Sequence, residues 1–359
     1  MKALIAAGGR STRMRPITHT INKHLIPLAN RPMLEYPIRK LVEAGITEII
    51  LNVNPGEVDV MREAFGDGEK YGAKLTYVEQ QGGAKGIAHA VANAEPYLRG
   101  GPFVFFLGDN VMVGSIKKMK ERYEAEGFDC MLALSRVKDP NRFGVAEFNA
   151  DGTLKRAVEK PKDPPSPFAI TGIYFFDERY FDAFKTMQPS PRGEYEITDM
   201  ITWYIENGRV GHEEITGWWK DTGTPDALLE GNALMLDEMK GQNIASSAQV
   251  DAQCRIQGNV EIGEGAIIGA SVLIRGPVTI GAHCRIENAY VGPYSSIGNN
   301  VTLRNGEIEH SIVMEGVTID CGKRIVDSII GKNAVISAVA ETLPRGHKMI
   351  VGDSSKIEL

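Results

Sequence analysis

A six-residue period governs the last third of this chain and constrains its fold more than any other feature. Ile244, Val250, Ile256, Ile262, Ile268, Ile274, Ile280 and Ile286 follow one another at uninterrupted steps of six. Four residues after these aliphatics stand small or apolar side chains: Ala248, Cys254, Val260, Ala266, Val272, Val278 and Cys284. After Ile286 the step slips, through Val291, Ile297, Leu303 and Ile308, and the pattern returns at Ile319, Ile325, Ile330 and Ile336. Neither a helix nor an isolated hairpin has this period. It predicts a parallel β-helix, in which each coil stacks its inward aliphatics on those of the next. Gly and Asn between the aliphatics supply the corners.

Ahead of about residue 240 the pattern is different, and the chain is read as two domains, 1–240 and 241–359. Apolar runs at Ala3–Ala7, Ile49–Val53, Leu75–Val78 and Phe103–Leu107 read as strands. Helical patterns at Pro32–Ala44, Glu57–Phe65 and Ile87–Tyr97 separate them. Strands alternating with helices imply parallel pairing in a doubly wound α/β sheet. Val145–Phe148 and Leu154–Glu159 flank Asn149-Ala150-Asp151-Gly152, a hairpin signal, and a helix is expected from about Asp226 to Met239. The expected fold is therefore α/β, a Rossmann-like, mostly parallel sheet domain followed by a parallel β-helix domain.

Charge narrows the function. The chain carries a net −6, and an extended nucleic-acid surface needs a basic face, so a nucleic-acid polymer is not expected as a partner. No apolar run approaches the roughly 18 residues of a membrane span, and the N-terminal run is too short for a signal peptide. A cytoplasmic protein without a membrane partner is expected. Cys130, Cys254, Cys284 and Cys321 form no C-x-x-C pair and read as small apolar residues in a reducing compartment.

From Met1 to Leu34 there is no Asp or Glu, while Lys2, Arg10, Arg13, Arg15, Lys23 and Arg31 all fall there. Such a cluster can be a solvated face. Here it surrounds Gly8-Gly9 just after a strand, and backbone amides freed by such a turn, with cations nearby, suit a phosphate chain. The segment is not a P-loop, since no G-K-[ST] closes it.

Two further motifs bear on chemistry. Asp109 follows the Phe103–Leu107 strand and so lies at the carboxyl edge of the sheet, where ligands bind in open α/β folds. An Asx turn is its ordinary alternative. With Asp221, in Lys220-Asp221-Thr222-Gly223-Thr224, it could hold one Mg²⁺, an ion that takes one or two carboxylates plus substrate phosphates. Glu159-Lys160-Pro161 ends a strand and is either a surface ion pair or a site for a sugar hydroxyl and a sugar phosphate.

These segments together resemble the sugar-nucleotide nucleotidyltransferases, and among them the long-form glucose-1-phosphate thymidylyltransferases. The likeness runs through Gly8–Arg13, Lys23–Pro27, Gly108–Asn110, Phe143-Gly144-Val145, Glu159–Pro161, Arg192–Glu194 with Glu196–Asp199, and Asp221–Thr224. It implies that the β-helix is left-handed. It further implies that Gly8, Gly9, Ser11, Thr12 and Arg13 hold a nucleoside triphosphate, with Arg13 on its phosphates. Lys23 would touch the α-phosphate and the sugar phosphate, and Gln80, Gln81 and Gly86 would lie at the base. Asp109 and Asp221 would hold Mg²⁺. Gly144, Glu159 and Gly172 would line the sugar pocket, Lys160 would bind the sugar phosphate and Arg192 would close over it. The implied reaction joins dTTP to glucose-1-phosphate.

The chain departs from the family in three places. Ser11 stands where the family usually has Gly, and is strained if that position needs φ > 0. The Gln80–Gly86 segment is one residue longer than usual, which leaves either Gln80 or Gln81 as the base-reading amide and UTP as an alternative to dTTP. Phe143 replaces a common Tyr. Other sugar-1-phosphates also stay open. Two rival functions belong to different classes. One is a second, acyltransferase site on the β-helix using His283, His310 or His347. The other is a non-catalytic regulatory subunit, which the presence of Arg13, Lys23, Asp109 and Asp221 disfavours. The flat coils also suggest a homo-oligomer, with three β-helices packed into a trimer as the leading expectation.

Overall fold

The computed structural model describes residues 1–9, 11–338 and 349–358. Arg10 of the basic cluster and His347 therefore lie outside the described residues, with the rest of 339–348 and residue 359. The chain forms two compact units, Met1–Arg10 with Leu34–Asp221 and Ser11–Met33 with Thr222–Leu359. The change of sequence pattern near 240 and the parting of the compact units fall at different places.

In the first unit the chain runs β1 (Lys2–Ala6), α1 (Glu35–Glu43), β2 (Glu48–Val53), α2 (Val58–Phe65), β3 (Lys74–Glu79), α3 (Ile87–Asn93), α4 (Glu95–Leu98) and β4 (Phe103–Leu107). It continues through β5 (Asn110–Met112), α5 (Lys117–Glu126), β6 (Cys130–Arg136), β7 (Gly144–Phe148), β8 (Leu154–Glu159), β9 (Phe168–Phe176), α6 (Tyr180–Phe184), α7 (Ile197–Asn207), β10 (Val210–Glu214) and β11 (Trp219–Asp221). The first four strands are parallel in the order β4-β1-β2-β3. Beyond β4 the sheet is mixed: β9 pairs antiparallel with β4, β6 and β7, β7 antiparallel with β8, and β10 runs parallel to β6.

The central strand β4, Phe-Val-Phe-Phe-Leu, is buried over its first four residues, as a strand covered on both faces must be. Phe103 packs among Phe176, Tyr180 and Phe181 at ring distances of 5.9, 5.8 and 5.5 Å. Each such ring contributes about 1.5–3 kcal/mol by leaving water.

Two helices differ from expectation. The Pro32–Ala44 helix begins only at Glu35, because Arg31–Pro32 pairs with Pro27–Leu28 as a short hairpin. The Ile87–Tyr97 helix is two helices meeting at Ala94. Pro96 has no N–H to give to the preceding turn, so the first helix cannot run on.

In the second unit, segment 11–33 holds 3-10 turns at Thr12–Met14, Ile17–His19 and Lys23–Leu25, followed by that hairpin. Helix α8 (Pro225–Asp237) has Thr224 as its N-cap and Pro at its start, where a missing N–H costs nothing. The repeats then form parallel coils. Ile244, Ile262, Ile280, Ile297, Val313 and Ile330 align on one wall. Val250, Ile268, Ile286, Leu303, Ile319 and Ile336 align on the second. Ile256, Ile274, Val291, Ile308 and Ile325 align on the third. The slip after Ile286 is a corner shortened by one residue: Asn288 and Asn305 take left-handed backbone (φ 46° and 45°) within those steps and keep the walls in register.

All four cysteines are free thiols, three of them buried. Among the described residues no helix is long and apolar enough to cross a membrane.

Candidate functional site

The polar residues of the first unit gather where its parallel strands end. Gly8-Gly9 follows β1, Asn54 follows β2, Gln80 follows β3 and Gly108-Asp109 follows β4. Strand order reverses between β1 and β4, and the crevice beyond such a switch point is the ligand-binding place of an open α/β sheet. A Cβ on Gly8 would crowd Asn54, lying 3.0 Å from its Oδ1. Gly9 is required by its backbone, at φ 112°. Asn54 fastens this turn: its Oδ1 accepts the Gly9 N–H at 2.7 Å, and its Nδ2 donates to Gly9 O at 3.2 Å. Asn54 belongs to no sequence motif; its one signal is an amide at a strand's carboxyl end.

Gln80 and Gln81 part company here. Gln80 lies beside Gly8, with Oε1 3.4 Å from where a Gly8 Cβ would be, and its Nε2 donates to Gly83 O at 3.0 Å. Gln81 turns its amide back to Glu79 O at 3.4 Å. Gly86, at φ 99°, lies against the Tyr195 backbone, where a Cβ would come within 2.5 Å of the carbonyl oxygen.

Asp109 and Asp221 occupy neighbouring places. β11 runs antiparallel to β5 with Asp221 opposite Asn110, the residue after Asp109. Asn110 is nearly fully buried, and both its amide oxygen and its amide nitrogen are hydrogen-bonded. Its Nδ2 donates to Asp109 Oδ1 at 2.9 Å, while its Oδ1 accepts Trp219 Nε1 at 2.7 Å and Gly172 N at 3.3 Å. Two carboxylates held this way offer the hard oxygen donors that Mg²⁺ prefers. Among the described residues no cluster of three or more His, Cys, Asp or Glu could hold a metal, so an ion here would complete its shell with water or phosphate.

A second polar group lies across the antiparallel half. Gly144 and Glu159 are register partners on β7 and β8. A Cβ on Gly144 would lie 2.9 Å from Thr198 Cγ2, so glycine keeps the space in front of Glu159 open. Gly172 is as constrained, with Leu107 Cβ at 2.6 Å from its virtual Cβ. Lys160 reaches Glu159 Oε1 at 3.2 Å and holds a left-handed backbone (φ 42°) just before Pro161, strain of the kind that collects at functional sites.

Arg192 approaches Glu159 at 3.5 Å but is clamped to Glu196, its Nη2 donating to both carboxylate oxygens at 2.9 Å. Burial disfavours the Arg192 cation, yet Glu196, Glu159 and Glu194 together hold its pKa above the ordinary arginine value. Glu196 falls within a sequence motif that assigns it no role; its carboxylate orients Arg192.

Ser11, Thr12, Arg13 and Lys23 belong to the second unit. Ser11 adopts the left-handed conformation (φ 46°, ψ 36°), so the strain anticipated for a Ser in place of Gly is present. Its carbonyl accepts Thr18 Oγ1 at 2.8 Å. Arg13 lies in the 3-10 turn after it, and Lys23 opens a turn whose His24 N–H is capped by Asn22 Oδ1 at 2.8 Å. On the β-helix, His283 occupies a left-handed corner and His310 Nδ1 meets Asp327 Oδ1 at 2.5 Å.

Comparison with known proteins adds the following. Residues 2–238 match the family described as nucleotidyl transferase, and 243–276 match the bacterial transferase hexapeptide (six repeats). A low-salt glycan biosynthesis nucleotidyltransferase, Agl11, of Haloferax volcanii is 38% identical over the whole of both chains. A glucose-1-phosphate thymidylyltransferase of Streptomyces antibioticus is 39% identical over all of this chain and 99% of its own. A crystal structure from Bacillus anthracis, described as a glucose-1-phosphate thymidylyltransferase in complex with a sucrose, superposes with a TM-score of 0.63 at 37% identity. It covers 67% of this chain and 97% of its own.

Proposed function

The chain belongs to the nucleotidyl transferase family, in the long form that appends hexapeptide repeats, and from that premise we propose that it joins dTTP to glucose-1-phosphate, giving dTDP-glucose and pyrophosphate. The observation that carries the proposal is the full-length likeness to glucose-1-phosphate thymidylyltransferases. The carboxyl-edge cluster is compatible with it.

In this proposal the residues divide the work as follows. Gly8 and Gly9 present backbone amides to the triphosphate, with Ser11 and Thr12 following them in sequence, and Arg13 supplies charge to the phosphates. Gln80 reads the base, supported by Gln81 and Gly86. Gly144, Glu159 and Gly172 receive the sugar, and Lys160 its phosphate, with Arg192 over that side. Lys23 meets the α-phosphate and the incoming sugar phosphate. A sugar phosphate is largely a dianion at neutral pH, its second pKa being about 6, so it attacks the α-phosphorus without a general base. The chain's task is to hold nucleophile and leaving pyrophosphate in line and to offset the charge between them. Asp109 and Asp221 would hold Mg²⁺, which when bound supplies charge neutralisation at the phosphates.

A second substrate pair has its own support. The Haloferax relative, equally similar, is named for glycan biosynthesis, and Gly82 and Gly83, both left-handed (φ 72° and 81°), make the segment after Gln80 permissive. UTP or another sugar-1-phosphate is therefore the alternative. The β-helix is proposed to assemble a homo-oligomer, which light scattering on the purified chain tests.

The deciding assay is pyrophosphate release with Mg²⁺, crossing dTTP, UTP, GTP and ATP against glucose-1-phosphate, N-acetylglucosamine-1-phosphate and mannose-1-phosphate. Dominant turnover of dTTP with glucose-1-phosphate is expected. Preference for another pair keeps the chemistry and replaces the substrate, and no turnover with any pair overturns the proposal.

A further inference from the structure

One wall of the β-helix is covered by its own chain. On the strands Val278–Ile280 and Ser295–Ile297, Thr279 and Ser296 are register partners; the residues on either side of them are buried, Val278, Ile280 and Ile297 in the apolar core of the coils. An outward position on a hexapeptide wall ordinarily meets solvent, yet both residues are buried. Helix α8 lies over the Ser295–Ile297 strand and also packs on the Pro27–Leu28 strand of the hairpin.

The seam between them is polar, with Asn30 Oδ1 buried there without a hydrogen-bond partner. Asn30 Nδ2 donates to Thr279 Oγ1 at 3.1 Å and to Ile297 O at 2.7 Å. Asn232, on α8 and nearly inaccessible, accepts Ser296 Oγ at 2.6 Å and the Ala29 N–H at 2.9 Å through Oδ1, and donates to Tyr294 O at 3.1 Å. A lone aliphatic contact would let the hairpin slide, whereas these amides fix its register on the coil.

The hairpin turn makes the same point from the backbone. Ala29 and Asn30 both have positive φ, 44° and 60°, the pattern of a tight two-residue turn that favours Asn-Gly. Alanine is unfavourable at the first position, so this conformation is held from outside, by the bond from Ala29 N–H to Asn232. Upstream, the Lys23–Leu25 turn leads into the hairpin through Ile26, whose N–H donates to Lys23 O at 3.1 Å. Ile26 O in turn accepts Met33 N at 3.1 Å. Lys23 is thus tied to the anchored hairpin by a short and hydrogen-bonded path.

We propose that Asn30 and Asn232, with Thr279 and Ser296 beneath them, are positioning residues for nucleotidyl transfer: the β-helix holds the segment that carries Lys23. This rests on the role assigned to Lys23 above. The β-helix then contributes to the reaction itself, in addition to any part in assembly.

The test uses the full-length chain. Asn30→Gly keeps the turn's backbone freedom and removes both bonds to the coil. Thr279→Val removes one hydroxyl at nearly constant volume, and Thr279→Ser restores it. Asn305→Gly, at a corner bonded to Asn288 and Asp320, serves as a β-helix change outside the seam. Kinetics are taken well below each variant's Tm, and amide exchange is followed in the same samples. Asn30→Gly is expected to lower kcat by about 10–100-fold, the usual effect of displacing a reacting group by a fraction of an ångström to one ångström. Exchange should rise in residues 17–28 while the coils exchange as in the wild type. Thr279→Val should show a smaller loss that Thr279→Ser recovers, and Asn305→Gly should lower Tm without lowering kcat. Unchanged kcat in both Asn30→Gly and Thr279→Val, or unchanged exchange in residues 17–28, overturns the proposal. Should Asn30→Gly fail to fold, Thr279→Val decides. A wild-type chain inactive on every substrate pair overturns the functional assignment instead, and the exchange measurement still decides the anchor.

Discussion

The carboxyl edge of the sheet and the wall of the β-helix are built from opposite kinds of contact. Along the β-helix every inward aliphatic meets the one a coil away, as Ile262 meets Ile280, so a short stretch of sequence already contains its partners. At the sheet edge, Asn54 closes on Gly9, Gly172 on Asn110, and Trp219 on Asn110 from across more than a hundred residues. Repetition gives the β-helix a core that tolerates its corners being Asn, His, Asp or Tyr. The sheet edge instead uses glycine where a Cβ would crowd a neighbour, and each glycine there answers to a different one: Asn54 at Gly8, the Tyr195 backbone at Gly86, Thr198 at Gly144 and Leu107 at Gly172. A lost aliphatic should therefore cost the β-helix stability, while a lost polar group at the edge should cost activity.

The largest effect expected is on turnover. Lys23→Ala and Asp109→Ala should each lower kcat by about 10²–10³-fold, the magnitude of removing one preorganised charge-stabilising group. Circular dichroism and Tm should stay near wild type, and wild-type-like turnover in either variant would remove that residue from the reaction.

Ile286→Ala should produce the reverse profile. Its side chain is fully buried between Ile268 and Leu303, and truncation should cost about 2–5 kcal/mol in denaturant unfolding. If the folded fraction then turns over substrate at a normal rate, stability and chemistry are separable on this wall. Gly172→Ala should cost about 1–3 kcal/mol, because its Cβ would overlap Leu107. Activity should fall with it, since the Gly172 N–H holds Asn110, which holds Asp109.

A smaller gain is expected from Ser11→Gly. A left-handed non-glycine residue carries about 1–2 kcal/mol of strain, and glycine's greater unfolded freedom returns about 0.4–1 of it. Urea unfolding should show the variant equal to or slightly more stable than wild type.

The smallest effect is a pH dependence at His89, stacked on Tyr195 and next to Asn93. Burial, then the charge of Lys85, holds its pKa below the usual 6.5. The unfolded chain therefore takes up a proton first as pH falls. This contribution to stability is complete above about pH 6.5 and declines below it, until the folded imidazole also protonates. His89→Gln should flatten the fall of the unfolding free energy as pH drops below 6.5; an unchanged slope would place the titration elsewhere.

Sequence alone determined the β-helix, down to which aliphatics face inward, because its contacts repeat at a period that the sequence displays. It also determined the strands of the parallel sheet and the residue types of the edge cluster, since Gly8-Gly9, Asp109 and Glu159-Lys160 each sit next to a strand that can be recognised locally. Other features were decided only in three dimensions. The helix expected from Pro32 gives way to a hairpin because Arg31–Pro32 found a partner strand and its turn found Asn232. Asn54, Asn110 and Glu196 act through hydrogen bonds to residues that the chain brings together by folding, and none belongs to a periodic pattern. Thr279 and Ser296 stand at outward positions of the repeat, and it is α8 and the hairpin that bury them. The physical reason is the same in each case. Periodicity reports which face of an element is buried, while the choice of what covers that face is settled by contacts between distant segments.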